Sequence, residues 1–168
     1  MDSDDDFRTW AVTATPRLFR QARLLEGDWH LAEDLVQETI ARMYLCWNRM
    51  AEVTHPTAYA LQTLYRVFAS RRRLKSSNEI AVDVIPERVA GSTIDHDLRL
   101  DIAIALAELK PTERAVVVAR YLDDLPVAEV AALLDRSEGW VRTTAYRALG
   151  RLRRHPQLVS LTTHIQRS

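Results

Sequence analysis

Residues 125–154, LPVAEVAALLDRSEGWVRTTAYRALGRLRR, constrain the chain more than any other stretch, because they spell out two helices and the break between them. Proline suits a first helical position, where its missing N–H would have no partner, so Pro126 opens a helix that reaches Leu134. Val127, Val130, Ala131 and Leu134 repeat along it at helical spacing. Asp135, Arg136 and Ser137 interrupt the apolar run, and Ser137 can accept a backbone N–H of the next helix as its N-cap. That second helix carries Val141, Ala145, Ala148, Leu149 and Leu152 on one side and Arg142, Thr143, Tyr146, Arg147, Arg151 and Arg154 on the other. A short helix, a tight turn and a basic second helix make the helix-turn-helix pattern, whose second helix enters the DNA major groove. Arginine takes guanine edges bidentately, and arginine or threonine holds phosphates. A basic face that is merely solvated is the plainer alternative. The turn chemistry, the small Ala131 near the helix crossing and the clustering of cations on the second helix weigh against it.

The rest of the chain points to helices as well. Four glycines in 168 residues leave few tight hairpin turns, and an apolar fraction of 47% is ordinary for a folded chain, so the expected fold class is all-α. The length allows one domain or two small ones. A formal net charge of zero argues on its face against a polyanionic partner, but the charge is segregated. Acid gathers in residues 2–6 and 79–101, base in 66–75 and 136–154, and segregation is the more informative property. Cys46 is the only cysteine, which excludes an internal disulfide and a multi-cysteine zinc site, and the five histidines are scattered. No nucleophile–base constellation, metal-spaced carboxylate cluster or phosphate-cradling glycine loop is evident. No catalytic residue, metal, cofactor or small-molecule substrate is therefore expected. The acidic start and the lack of an apolar run of about 18 residues predict a cytoplasmic protein without signal peptide or membrane contact.

In chain order, residues 2–6 read as a frayed acidic start. Residues 7–25 carry Phe7, Trp10, Ala11, Ala14, Leu18, Ala22 and Leu25 at helical spacing, and Pro16 predicts a kink or a split. Glu26, Gly27 and Asp28 are a stop and a new start. The next helix, over 29–47, has an apolar face of Leu31, Leu35, Ile40, Met43, Tyr44 and Trp47. Asp34, Gln37 and Glu38 share another of its faces, either a solvated surface or a docking strip for a basic partner. A third helix, over 57–74, mixes Tyr59, Leu64, Tyr65 and Phe68 with Arg66, Arg71, Arg72, Arg73 and Lys75. Cations follow phosphates and rings stack on unpaired bases, although each ring taken singly reads better as core. Residues 76–95 have no sustained period and an excess of acid, which marks a flexible linker. Fully extended, it would reach roughly 65–70 Å. Two more helices follow, over 96–109 with Leu98, Ile102, Leu106 and Leu109 inward and over 113–121 with Thr112 as cap. Pro156 ends the helix-turn-helix, and residues 156–168 form a tail.

Three of these stretches, AEDLVQETIARMYLCW (32–47), HPTAYALQTLYRVFASRRRLK (55–75) and LAELKPTERAVVVARYLDDLPVAEVAALLDRSEGWVRTTAYRALGRLR (106–153), resemble in this order the bacterial RNA polymerase sigma factors of the extracytoplasmic-function (ECF) type. Within that type the similarity, over residues 7–154, is to the actinobacterial SigE-like branch. The resemblance implies a sigma-2-like helical bundle over 1–75, a linker over 76–95, a sigma-4-like helix-turn-helix domain over 96–155 and a tail over 156–168. It implies docking on the β and β′ subunits of core polymerase through Asp34, Gln37, Glu38 and Arg42. Contacts to the −10 promoter element would come from Tyr65, Arg66, Arg71, Arg72, Arg73, Lys75, Ser76, Ser77 and Asn78. Contacts to the −35 element would come from Ser137, Trp140, Arg142, Thr143, Tyr146, Arg147 and Arg151. Promoter DNA and an anti-sigma factor are the other partners it suggests. The chain departs from the family's usual pattern at Arg66–Val67 and at Trp140, which bears on which promoter is read. Two readings of another class stand beside it: a helix-turn-helix regulator that works without polymerase, and a sigma-like protein that no longer recognises promoters.

Overall fold

The computed structural model describes residues 3–77, 94–156 and 158. The expected linker, 76–95, is helical at both ends, since residues 76–77 continue the helix before it and 94–95 begin the one after it; residues 78–93 lie outside the described residues, as do Asp2 of the acidic start, Gln157 and the tail beyond Leu158. Every element among the described residues is helical, and the chain divides into two compact units, Met1–Val82 and Asp83–Ser168.

The first unit packs three helices against one another: α1 (Ser3–Glu26), α2 (Trp29–Cys46) and α3 (Pro56–Ser77). A 3-10 turn, Trp47–Glu52, follows α2. Its core is the apolar stripe that the spacing predicts: Leu18, Ala22 and Leu25 of α1, Ala32, Leu35 and Met43 of α2, and Leu64, Val67 and Phe68 of α3 are buried. Removing each large aliphatic or aromatic side chain from water contributes about 1.5–3 kcal/mol.

Two expectations for α1 need correction. Asp4, Asp5 and Asp6 form its first turn, where carboxylates complement the positive end of the helix dipole, rather than a frayed start. Pro16 neither splits nor ends the helix. It lies on the exposed side, so the Val12 carbonyl that loses its partner opens to water. The stop at Gly27 is as expected: with φ 74° the glycine adopts the left-handed conformation, and its N–H reaches the Arg23 carbonyl at 2.9 Å. Asp28 then caps α2, its Oδ1 accepting from the Leu31 N–H at 2.9 Å.

Phe7, Trp10, Tyr44 and Trp47 form an aromatic cluster with ring centroids 5.0–5.6 Å apart, which ties the start of α1 to the end of α2. The Trp10 indole N–H donates to Thr57 Oγ1 at 3.1 Å and so fastens the start of α3 to the same cluster.

The second unit contains α4 (Ile94–Ala107), α5 (Pro111–Val117), α6 (Val127–Leu134) and α7 (Glu138–Leu152), with α5 and α6 both packed on α7. The expected helix over 113–121 is shorter and begins earlier. Pro111 is its first residue, and the cap is Lys110 rather than Thr112, with the Lys110 N–H donating to Glu113 Oε2 at 3.2 Å. Its continuation, Val118–Leu122, is a π-helical turn. Pro126 sits one position before α6, as its N-cap. Asp135 ends α6 in the left-handed region at φ 54°, one of the few conformations of this kind that a non-glycine residue tolerates. The Arg136 N–H returns to the Ala131 carbonyl at 2.9 Å, a Schellman-type closure that turns the chain sharply into α7.

Candidate nucleic-acid interface

The turn between α6 and α7 is set by local chemistry. Ser137 is extended at φ −75° and ψ 152°, and its Oγ accepts from the Trp140 N–H at 3.1 Å. This is the N-cap expected from the sequence, and it orients α7 against α5 and α6. Val141, Thr144, Ala145 and Ala148 are buried beneath it. Opposite them, Arg142, Thr143, Tyr146 and Arg147 stand exposed on one face, with Tyr146 at 79%. The spacing of these four positions makes them neighbours on the helix surface. An α-helix presenting such a row has the dimensions and donors to read a major groove.

The arginines of this face differ in how they are held. Arg142 pairs with Glu138 one turn earlier at 2.8 Å, both side chains largely exposed. Arg151 reaches back to α5 and pairs with Glu113 at 2.6 Å. Arg147 pairs with no carboxylate among the described residues. Ser137 is exposed, but its oxygen is committed to the cap. Arg136, which the sequence reading left out of the interface, lies over the Trp140 ring with its guanidinium carbon 5.1 Å from the centroid. The signal for it, a cation four residues before a tryptophan across a cap, was present in the sequence.

On α3, three of the expected −10 contacts turn inward. Tyr65 is 1% exposed, and its hydroxyl accepts from Gln21 Nε2 at 2.7 Å, so it is a core residue and has no face free for a base. Arg71 donates from Nε to Glu38 Oε2 at 2.8 Å and from Nη2 to the Asp34 carbonyl at 3.0 Å, which clamps α3 to α2. Arg72 pairs with the buried Glu26 at the end of α1 and covers the Phe68 ring, its guanidinium carbon 5.2 Å from the centroid. Arg66, Arg73, Lys75 and Ser76 are exposed along the rest of the helix. Ser77 ends α3, and Asn78 lies outside the described residues.

The expected docking strip on α2 is divided. Asp34 and Gln37 are exposed. Glu38 is occupied: Oε1 accepts from Arg42 at 2.7 Å while Oε2 takes Arg71. Partial burial by itself would raise the Glu38 carboxyl, but the hydrogen bonds from Arg71 and Arg42 and the charges of both override it and hold the group below the usual carboxylate range. Among the described residues no group of histidine, cysteine or acidic side chains is arranged to hold a metal ion, and no helix is long and apolar enough to cross a membrane.

Comparison with known proteins bears on both units. Residues 13–78 match the family described as Sigma-70 region 2, and residues 99–152 match Sigma-70, region 4. The RNA polymerase sigma-E factor of Streptomyces avermitilis is 32% identical over 149 residues, 88% of this chain and 83% of that protein. The ECF RNA polymerase sigma factor SigL of Mycobacterium tuberculosis is 31% identical over 151 residues, 86% of this chain and 85% of that one. Among solved structures, the sigma factor RpoE in complex with the anti-sigma factor NepR from Bartonella quintana shares the fold, with a TM-score of 0.62 at 21% identity over 89% of this chain and 95% of that chain. A region 2 bundle, then a region 4 helix-turn-helix, matched along nearly the whole length of relatives so named, make this chain a member of the ECF sigma factors, which direct RNA polymerase core to promoters.

Proposed function

We propose a division of labour by unit. Residues 1–77 dock on core polymerase and engage the −10 element, residues 78–93 tether, and residues 94–155 read the −35 element. Asp34 and Gln37 offer the free polar surface of α2 to the polymerase, while Glu38 and Arg42 keep that helix face in register with α3. Arg66, Arg73, Lys75 and the segment from Ser76 lie along −10 DNA. Arg142, Thr143, Tyr146 and Arg147 face the −35 groove. The protein performs no chemistry of its own and acts in the cytoplasm with the polymerase. An anti-sigma factor, such as the one bound by the Bartonella relative, is part of the same reading.

The observation that carries this reading is the exposed row on α7, backed by a buried apolar face and fixed by the Ser137 cap. Run-off transcription with core polymerase on genomic fragments, including the DNA upstream of the protein's own gene, tests it. Discrete transcripts that need both the protein and core are expected. Binding to duplex DNA without core, together with no transcript from any fragment, would favour a regulator that works apart from polymerase.

A further inference from the structure

We propose that Trp140 is a positioning residue: its ring holds the Arg136 guanidinium beside the exposed face of α7, where that cation contacts a phosphate of the −35 duplex. The inference rests on the reading of α7 as the DNA-facing helix and goes beyond it in two ways. It adds Arg136 to the interface, and it moves Trp140 from direct contact with the −35 element to a supporting place behind that arginine.

The geometry begins at Asp135. Its left-handed backbone and the Arg136 N–H bond to Ala131 reverse the chain, so that Arg136 leaves the turn exposed and not along α6. The Ser137 cap then brings the Trp140 ring under the guanidinium, 5.1 Å from centroid to carbon. An arginine side chain loses considerable rotamer freedom when it settles on one partner. A ring that already confines it removes part of that loss before DNA arrives, and a guanidinium on an aromatic face keeps its N–H edge available for hydrogen bonds. Arg136 pairs with no carboxylate among the described residues, unlike Arg142 and Arg151, so no internal ion pair has to break for it to reach an anion. The surface between the two residues is open: a Cβ built on Gly139 would meet nothing within 4 Å. Trp140 itself is half-buried and backs the arginine, which leaves its edge poorly placed to enter a groove.

Phosphate contact has a distinctive readout. Each phosphate neutralised adds about 0.9 to the slope of log affinity against log salt, whatever the sequence. The test uses the full chain bound to core polymerase, duplexes that differ in their −35 sequence and fluorescence anisotropy across a salt series, with core and duplex held the same for every variant. Arg136→Ala should lower the slope by about one and weaken binding evenly across sequences. Trp140→Leu, which keeps apolar bulk but removes the aromatic face, should produce most of that loss. Trp140→Phe should restore it, and Arg136→Ala combined with Trp140→Leu should be no worse than Arg136→Ala alone. Thermal melting of each variant separates loss of fold from loss of positioning. Additive losses in the double variant, or a Trp140→Leu slope equal to wild type, would overturn the proposal. The underlying reading is tested in the same series by Arg147→Ala with Arg142→Ala. If that pair leaves binding unchanged, α7 is not the DNA face and both ideas fail. If it weakens binding while Arg136 and Trp140 variants do not, only the positioning role fails.

Discussion

Replacing Arg72 with alanine should damage the fold of the first unit more than it damages any DNA contact. Arg72 ends in an ion pair with Glu26, whose side chain is 3% exposed while that of Arg72 is 21% exposed. Removing one partner of a fully buried pair costs on the order of 3–5 kcal/mol, because the remaining charge is stranded. Water reaches the Arg72 side and Glu26 has a further interaction, so about 2–3 kcal/mol is the appropriate scale here. Glu26 is also the last residue of α1, at the negative end of the helix dipole, so it gains nothing from its own helix once the arginine is gone. The stability of a unit of this size is about 4–11 kcal/mol in total. With a urea dependence near 1–1.5 kcal/mol per molar, the unfolding midpoint should fall by about 2 M. Tryptophan fluorescence suits the measurement, since Trp10, Trp29 and Trp47 lie in the first unit and only Trp140 in the second. Arg66→Ala, an exposed cation on the same helix, should stay within about 0.5 kcal/mol of wild type. Glu26→Gln together with Arg72→Met should recover most of the loss, because neither leaves a bare charge. An Arg72→Ala protein that unfolds like wild type yet fails to open −10 DNA would refute the reasoning and return Arg72 to the promoter.

Three other outcomes are expected. Asp34→Lys with Gln37→Lys should abolish co-purification with core polymerase and leave the melting curve unchanged, whereas Glu38→Lys should also destabilise the fold by releasing Arg71. Because the folded Glu38 carboxyl is held below its ordinary value of 4.5, the stability it contributes is complete above that value and disappears as pH falls through the lowered one. Glu38→Gln should flatten this acid limb in urea melts taken over a pH series, by less than about 1 kcal/mol given the exposure of the pair. Arg147→Ala should cost about 1–3 kcal/mol of DNA binding, and Arg151→Ala less, since Arg151 is already paired with Glu113; equal losses in a binding titration would contradict that ordering.

What could be read from the sequence was what local rules govern. The helical spacing of Leu18, Ala22 and Leu25 appears as buried core, Gly27 and Asp28 stop one helix and cap the next, and Ser137 caps α7. The partners of the long cations were not readable, because Arg71 meets Glu38 33 residues away and Arg151 meets Glu113 38 residues away. Nothing in a run such as Arg71-Arg72-Arg73 tells which guanidinium turns into its own bundle. Tyr65 is core, as each ring taken singly was expected to be, but its Gln21 partner on α1, 44 residues earlier, was not readable. Pro16 does not split α1, an outcome that helix-breaking rules miss because they take no account of which side faces solvent. Which arginines are left over for phosphate is thus a tertiary property, and the site could be outlined but not ranked from the sequence.

The Glu38 carboxylate has one guanidinium on each oxygen, Arg42 from its own helix and Arg71 from the next. For a genetic screen this means that positions 38 and 71 do not vary independently. A substitution at 38 made to probe the proposed docking face also frees a cation on α3, the helix proposed to lie along −10 DNA, and so would carry a second phenotype. A charge change at 71 leaves Glu38 with Arg42, on α2, as its one cation among the described residues. Suppressors of either would be expected at the other, and a mutational map drawn one position at a time would credit each residue with work that belongs to the pair.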